Sequence, residues 1–182
     1  LITGIANAQL DSIPTLFFTG QDYKANILRE NNARQNGFQD LDIVSIVQSI
    51  TKYSALVDEG DRIRYELEKA YWHATSGRSG AVLLDIPIDI QFQEIEENTL
   101  QGFEPEQNLE EDFDTSDFID LINQAKLPVI LVGGGVRVSG ALDEIRKFAI
   151  SSNIPVISTL AGLDVFEGNY GFAGLHGNTC AN

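Results

Sequence analysis

The sequence contains no methionine, one cysteine and two histidines among its 182 residues. Because it starts at Leu1 and has no methionine, the chain is expected to be an excised or processed part of a longer protein. The single cysteine, Cys180, excludes an internal disulfide, and with no basic-then-apolar leader this favours a cytoplasmic location. With only His73 and His176 available, neither a serine-histidine triad nor a metal-ligand spacing is visible.

Long apolar runs are missing as well. No run approaches the roughly 18 residues that a membrane span needs. The hydrophobic content of 43% and the charged content of 21% are ordinary for a globular protein. These observations predict a soluble protein with no membrane partner.

Positive charge is scarce, since the net charge is −15. Eleven acidic residues and no Lys or Arg lie between Glu94 and Asp120, and without those eleven charges the balance is only −4. The acidic stretch therefore predicts a solvated linker at 94–112 between two domains, 1–93 and 113–182. Nucleic acid is disfavoured as a partner because no basic stripe could release its counterions.

The first domain is organised around residues 77–87, where a turn leads into the apolar run 81–84 and Pro87 then ends the strand. Such a run is typical of a fully buried parallel strand. A helix capped by Asp58 or Asp61 precedes it, with a predicted apolar stripe of Ile63, Leu67, Ala70, Tyr71 and Ala74 and with Glu66 on the wet face. A helix is also predicted at 1–10, and its core-facing residues are Ile2, Ile5, Ala6 and Leu10. Further predicted elements are a strand at 15–19, a helix capped by Asp40 or Asp42, and a strand at 53–57.

The second domain repeats the alternation. A helix capped by Thr115 or Ser116 precedes a fully buried strand at 127–132, and a helix capped by Ser139 leads to a strand at 154–158. The βαβ order predicts parallel sheets with flanking helices, an α/β fold.

Three glycines, Gly133, Gly134 and Gly135, follow the second buried strand. Glycines between a strand and a helix let backbone N–H groups approach a diphosphate. Val138 stands where the third glycine of a dinucleotide fingerprint would be, and Ser158-Thr159 replaces the acid that binds a ribose. The triplet is therefore either a nucleotide loop or a tight turn. These residues alone leave open a non-catalytic nucleotide-binding or interaction module.

Several ordered motifs, taken together, resemble one enzyme family. They are Ile2 to Ala8, Asp11 to Pro14, Thr19-Gly20-Gln21, Gly37 to Val44, Ile50 to Tyr53, Gly77 to Gly80, Asp85-Ile86-Pro87, Pro128 to Gly135, Thr159 to Leu163 and Gly174 to Gly177. In this combination the chain resembles the large subunit of the thiamine-diphosphate-dependent acetolactate synthase family. The resemblance implies the later part of a pyrimidine-binding domain at 1–93 and the first part of a Rossmann-like central domain at 113–182.

The resemblance also implies chemistry. The parent enzyme would use thiamine diphosphate and Mg²⁺, with FAD possible, to join or decarboxylate 2-keto acids such as pyruvate, as a homodimer or homotetramer. No catalytic residue falls in this fragment, because the family's activating glutamate would precede Leu1 and its diphosphate domain would follow Asn182, so the fragment alone is expected to be inactive. The implied pocket residues are Phe38 and Gln39, and the implied cofactor-binding residues are Arg78, Gly133, Gly134, Gly135, Thr159, Leu160, Gly174, Leu175 and His176.

Overall fold

The computed structural model describes residues 1–27, 33–38, 40–105, 114–166 and 171–172. The chain divides into two compact units, Leu1–Asn108 and Leu109–Asn182. Each unit is an α/β structure with a parallel sheet and flanking helices, which confirms the predicted fold class. Within the described residues, no helix has both the length and the apolar character to cross a membrane.

The first unit has three strands and five α-helices in its described part. In chain order these are α1 (Ile2–Leu10), β1 (Thr15–Gln21), α2 (Lys24–Ile27), α3 (Ile43–Val47), β2 (Tyr53–Leu56), α4 (Ile63–Thr75), β3 (Ala81–Pro87) and α5 (Ile88–Gln91). The strand order is β1-β3-β2 and all pairs are parallel, so β3 occupies the centre. The stretch around which the sequence is organised is thus the middle strand.

Both faces of β3 are covered by helices. Ala81 and Leu83 pack with α1 and α3, whereas Val82 and Leu84 pack with α4 on the opposite face. This alternation follows from the two-residue period of a strand. Because both faces are buried, β3 reads as a continuous apolar run, as expected for a parallel strand between two helical layers.

Some predicted details of the helices are wrong. In α1 the buried residues are Ile5 and Ala8, while Ile2 and Leu10 are exposed. Neither Asp58 nor Asp61 caps α4, because a 3-10 turn at Gly60–Arg62 leads into the helix. Asp42, in contrast, does cap α3, since its carboxylate accepts a hydrogen bond from the Ser45 amide at 3.0 Å.

Residues 94–105, which lie within the predicted linker at 94–112, are grouped with the first unit. Phe103 contacts the rings of Tyr65 and Trp72 on α4, with the Tyr65 ring centroid 5.5 Å away. The Phe103 amide donates a 2.7 Å hydrogen bond to the Glu68 carboxylate. These contacts attach residues 100–103 to the helix, together with a hydrogen bond from the Arg64 guanidinium to the Leu100 carbonyl at 3.4 Å.

The second unit continues the numbering. Its described elements are α6 (Ser116–Gln124), β4 (Ile130–Val132), α7 (Gly135–Val138), α8 (Leu142–Ser152), β5 (Val156–Ser158) and β6 (Gly171–Phe172). The three strands are parallel in the order β4-β5-β6. Val132, Ala149, Val156 and Val165 form the buried cluster of this unit.

Two predictions for the second unit are wrong. The strand at 127–132 is shorter than predicted and is not fully buried, because Leu131 is 59% exposed while its neighbour Val132 faces the core. Ser139 does not cap α8. Its hydroxyl donates to the Val136 carbonyl at 3.1 Å, and Ala141 precedes the helix instead.

Candidate functional site

The carboxyl ends of β1 and β3 carry a polar cluster formed by Thr19, Gln21 and Asp85. Thr19 and Asp85 are neighbours in register on adjacent strands. The Thr19 hydroxyl donates to Asp85 Oδ1 at 2.6 Å, and the Gln21 amide donates to Asp85 Oδ2 at 3.0 Å. In parallel α/β sheets, ligands bind beyond this end of the strands, so the cluster stands where a site is expected.

Asp85 is an unusual residue for its position, because it is only 2% exposed in the central strand. Burial raises the pKa of its carboxyl above the ordinary value, and the nearby Asp42 acts in the same direction. The hydrogen bonds from Thr19 and Gln21 oppose this increase in pKa. A buried carboxyl with two converging donors at a strand end is typical of a functional or positioning group.

A cavity of about 490 Å³ opens beside this cluster. Its lining residues are Leu1, Ile2, Thr3, Thr19, Gly20, Gln21, Leu41, Ile43 and Asp85. The walls are mostly apolar, and the polar groups come from the ends of β1 and β3. This combination of an apolar cleft and a few fixed polar groups is the usual form of a small-molecule site.

Of the two predicted pocket residues, Phe38 is described and Gln39 lies outside the described residues. Phe38 is 83% exposed. The turn before it is held by Asp40, whose carboxylate accepts hydrogen bonds from the Asn36 amide at 2.6 Å and the Gly37 amide at 3.2 Å. The loop therefore presents an aromatic ring outward on a fixed turn.

Arg78 lies in the first unit, between α4 and β3, and is exposed. Its Nε donates to the Ser12 hydroxyl at 2.7 Å. No carboxylate among the described residues is within ion-pair distance of the Arg78 guanidinium. The remaining N–H groups form a fork that suits a phosphate.

The three glycines lie in the second unit, after β4. A Cβ on Gly133 would come within 3.3 Å of the Thr159 hydroxyl oxygen, and one on Gly134 within 3.3 Å of the Ala161 Cβ. A Cβ on Gly135 would meet nothing within 4 Å. The first two glycines are thus explained by close packing, while the backbone at Gly135 is open to approach.

The helix that begins at Gly135, α7, has only four residues, so it offers no helix N-terminus of the kind that the fingerprint requires. Thr159 and Leu160 follow β5 and lie next to the glycine turn, since the Thr159 amide bonds to the Val132 carbonyl at 2.9 Å. The structure thus brings together Gly133 and Thr159. Gly174, Leu175 and His176 fall outside the described residues.

The sequence reasoning chose neither Thr19 nor Asp85 as a site residue. The available signal was an acidic residue that ends an otherwise apolar central strand, followed directly by Ile86-Pro87. No group of three or more potential metal ligands is found within the described ranges. The described polar cluster contains one carboxylate, Asp85, and its observed contacts are hydrogen bonds from Thr19 and Gln21.

Comparison with known proteins identifies relatives for the whole chain. Residues 115–182 match the family model of the thiamine pyrophosphate enzyme central domain. All of the chain aligns at 37% identity with the acetolactate synthase large subunit of Lactococcus lactis subsp. lactis (strain IL1403), of which it covers 32%. It is 35% identical to the large subunit of Corynebacterium glutamicum and 36% identical to the chloroplastic acetolactate synthase of Arabidopsis thaliana, covering 29% and 28% of those proteins.

The chain thus spans about a third of the length of the curated relatives that it matches. The alignment extends through both units, and the central-domain model coincides with the second one. The parallel α/β architecture of each unit agrees with this relationship. The chain is therefore similar over its whole length to one part of the acetolactate synthase large subunit, and its residues 115–182 match the central domain of thiamine pyrophosphate enzymes.

Proposed function

We propose that this chain is part of an acetolactate synthase-like enzyme that joins or decarboxylates 2-keto acids, with pyruvate as the substrate. The observation that supports this proposal is the alignment of all 182 residues with proteins named acetolactate synthase at 35–37% identity. We also propose that the protein works in the cytoplasm as a homodimer or homotetramer.

Thiamine diphosphate would supply a stabilised carbanion on its thiazolium ring. The first unit would contribute one wall of the reaction pocket, formed by the cavity at the ends of β1 and β3 together with Phe38 and Gln39. The lining of this cavity is mostly apolar, and the hydrogen bond between Gln21 and Asp85 lies at its polar edge. We propose that Mg²⁺ and the diphosphate are bound by residues other than those described; within the described residues no group of three or more potential metal ligands is found.

FAD is the proposed second cofactor. Arg78 would contact a phosphate through its guanidinium. The turn at Gly133, Gly134 and Gly135, with Thr159 and Leu160, would contact the nucleotide through its backbone, and we also assign Gly174, Leu175 and His176 to this function. Two features support FAD binding at these residues. They are the N–H groups of the Arg78 guanidinium that are left after its bond to Ser12, and the open space next to the Gly135 backbone.

The activity is tested on the complete protein that carries this segment. With pyruvate, thiamine diphosphate and Mg²⁺, we expect acetolactate to form, and omission of thiamine diphosphate should abolish the reaction. The 182-residue chain alone, under the same conditions, should give no more product than buffer. A purified complete protein that is loaded with thiamine diphosphate but consumes no 2-keto acid would contradict the proposal.

FAD binding is tested by calorimetric titration of the same protein. Truncating a charged phosphate contact costs about 1.5–3 kcal/mol, so Arg78→Ala should weaken FAD about tenfold to hundredfold. Gly135→Ala should also weaken it, because a methyl group would occupy the open approach to the backbone. Arg64→Ala, which removes the same charge from the exposed face of α4, serves as the control and should bind normally. Equal affinities in all four proteins would remove both Arg78 and Gly135 from the site.

A further inference from the structure

We propose that Asp85 is a positioning residue. Through the side chain of Gln21 it holds residues 40–42 against the carboxyl edge of the first sheet, and so fixes the loop that carries Phe38. The catalytic consequence of this arrangement rests on the proposed function, whereas the positioning itself does not.

The hydrogen bonds of Gln21 carry this proposal. Its Nε2 donates to Asp85 Oδ2 at 3.0 Å and also to the Leu41 carbonyl at 2.7 Å. Its Oε1 accepts the Asp22 amide at 2.9 Å. Both N–H bonds and the carbonyl of one side chain are therefore used, and only one orientation of the amide satisfies all three partners.

Asp85 sets that orientation because it can only accept hydrogen bonds when it is ionised. Its other oxygen accepts from the Thr19 hydroxyl at 2.6 Å, so the carboxyl is held from two sides and is almost fully buried. A buried acceptor of this kind keeps the N–H groups of Gln21 directed toward it. The second N–H of Gln21 is then left pointing at Leu41.

Leu41 is the point at which this orientation reaches the loop. Its carbonyl accepts from Gln21 and also from the Ile43 amide at 2.7 Å, one residue after the Asp42 cap of α3. On the other side, the Asp40 carboxylate holds the turn that precedes Phe38. Residues 40–42 thus connect the fixed edge of the sheet to the exposed ring of Phe38.

This role requires an acceptor at residue 85 and not a charge. In Asp85→Asn, the amide oxygen can accept from Gln21 while its nitrogen donates to Thr19, so the orientation of Gln21 is retained. Asp85→Leu has a similar volume but removes the acceptor, and Gln21→Met removes the connection while leaving the Asp85–Thr19 bond in place. Gln9→Met is the matched control, because Gln9 accepts the Ala81 amide at 3.0 Å at the opposite end of β3.

The test measures amide hydrogen exchange of residues 36–47 in the complete protein. Loss of one hydrogen bond of this kind should speed exchange about twofold to tenfold in Asp85→Leu and Gln21→Met. Asp85→Asn and Gln9→Met should exchange like the wild type. Because exchange needs no turnover, this result stands apart from whether the protein makes acetolactate.

The kinetic measurement adds the consequence for the reaction. In Asp85→Leu and Gln21→Met, the KM for pyruvate should rise with little change in kcat, and Asp85→Asn should restore the wild-type KM. If Asp85→Leu does not fold, Gln21→Met decides the outcome. Wild-type exchange in Gln21→Met would overturn the proposal, and so would an Asp85→Asn protein as impaired as the Gln21→Met protein.

Discussion

Two carboxyl side chains of the first unit, Glu66 and Asp85, are buried against neighbouring strands. Glu66 is 6% exposed and accepts a short hydrogen bond from the Tyr53 hydroxyl on β2, and it also pairs with Arg62 at 2.9 Å. The sequence pattern predicts Glu66 on the solvent-exposed face of α4, and this prediction is wrong. A long acidic side chain can be buried in a helical interface when two donors meet it, since buried charges need partners.

We expect Tyr53→Phe to destabilise the protein. The change removes a donor from a buried carboxylate, which costs about 1–3 kcal/mol. Urea unfolding followed by circular dichroism should show a lower midpoint with an unchanged slope. Tyr71→Phe is the matched control. Tyr71 lies on α4, the helix that carries Glu66, but its side chain is 62% exposed. Equal midpoints for the two variants would contradict this account of Glu66.

The Tyr53 hydroxyl also leads us to expect a dependence of stability on alkaline pH. Burial, and then the hydrogen bond to Glu66, raise the pKa of Tyr53 above its usual value of 10.0. A group whose pKa is raised on folding stabilises the native state fully below its unfolded pKa and loses that contribution as pH rises toward the folded value. The unfolding free energy of the wild type should therefore fall more steeply above pH 10 than that of Tyr53→Phe. If the unfolding free energies of the two proteins fell in parallel above pH 10, this explanation of the raised Tyr53 pKa would be contradicted.

A left-handed glycine joins the end of α4 to the start of β3. The helix ends at Thr75, the Ser76 amide bonds back to the Trp72 carbonyl at 2.8 Å, and Gly77 adopts a φ of 57°. This left-handed residue turns the chain into the central strand, as glycine commonly does after a helix.

We expect opposite effects from two glycine-to-alanine changes. Gly77→Ala should destabilise by about 1–2 kcal/mol, because a Cβ is unfavourable in the left-handed region. Gly4→Ala should stabilise by about 0.5–1 kcal/mol, since glycine weakens a helix interior, and its Cβ would meet nothing within 4 Å. Thermal or urea unfolding of both variants checks the pair. A stabilised Gly77→Ala would show that the turn does not need a left-handed residue.

Periodicity in the sequence was enough to predict the alternation of helices and strands, because apolar spacing reflects which residues must be buried. It was not enough for contacts between elements. The Glu66–Tyr53 bond and the Asp85–Gln21–Leu41 connection join residues from different elements, and a local pattern does not show such pairs. The glycine turn was found by its composition, but its packing against Thr159 and Ala161 became visible only in three dimensions.

The two units differ in how well their apolar residues are covered. In the first, the central strand is buried from Ala81 to Asp85. In the second, α6 has no buried residue, and residues 118–131 include six exposed large apolar side chains: Phe118, Ile119, Leu121, Leu127, Val129 and Leu131. Within β4, Leu131 faces outward and its neighbour Val132 faces the core, because strand residues alternate. Exposed apolar surface of this extent favours association.

The 182-residue chain in isolation should therefore self-associate through its second unit. Light scattering should give an average mass that rises with concentration above the monomer value. The variant Leu127→Lys/Leu131→Lys should lower that mass, because it replaces two exposed apolar side chains with charged ones, which opposes their burial in an interface. Leu10→Lys/Tyr71→Lys adds the same charge at exposed residues of the first unit and should associate like the wild type. A wild-type chain that stays monomeric at high concentration, or two variants that associate equally, would contradict an association that depends on residues 127–131.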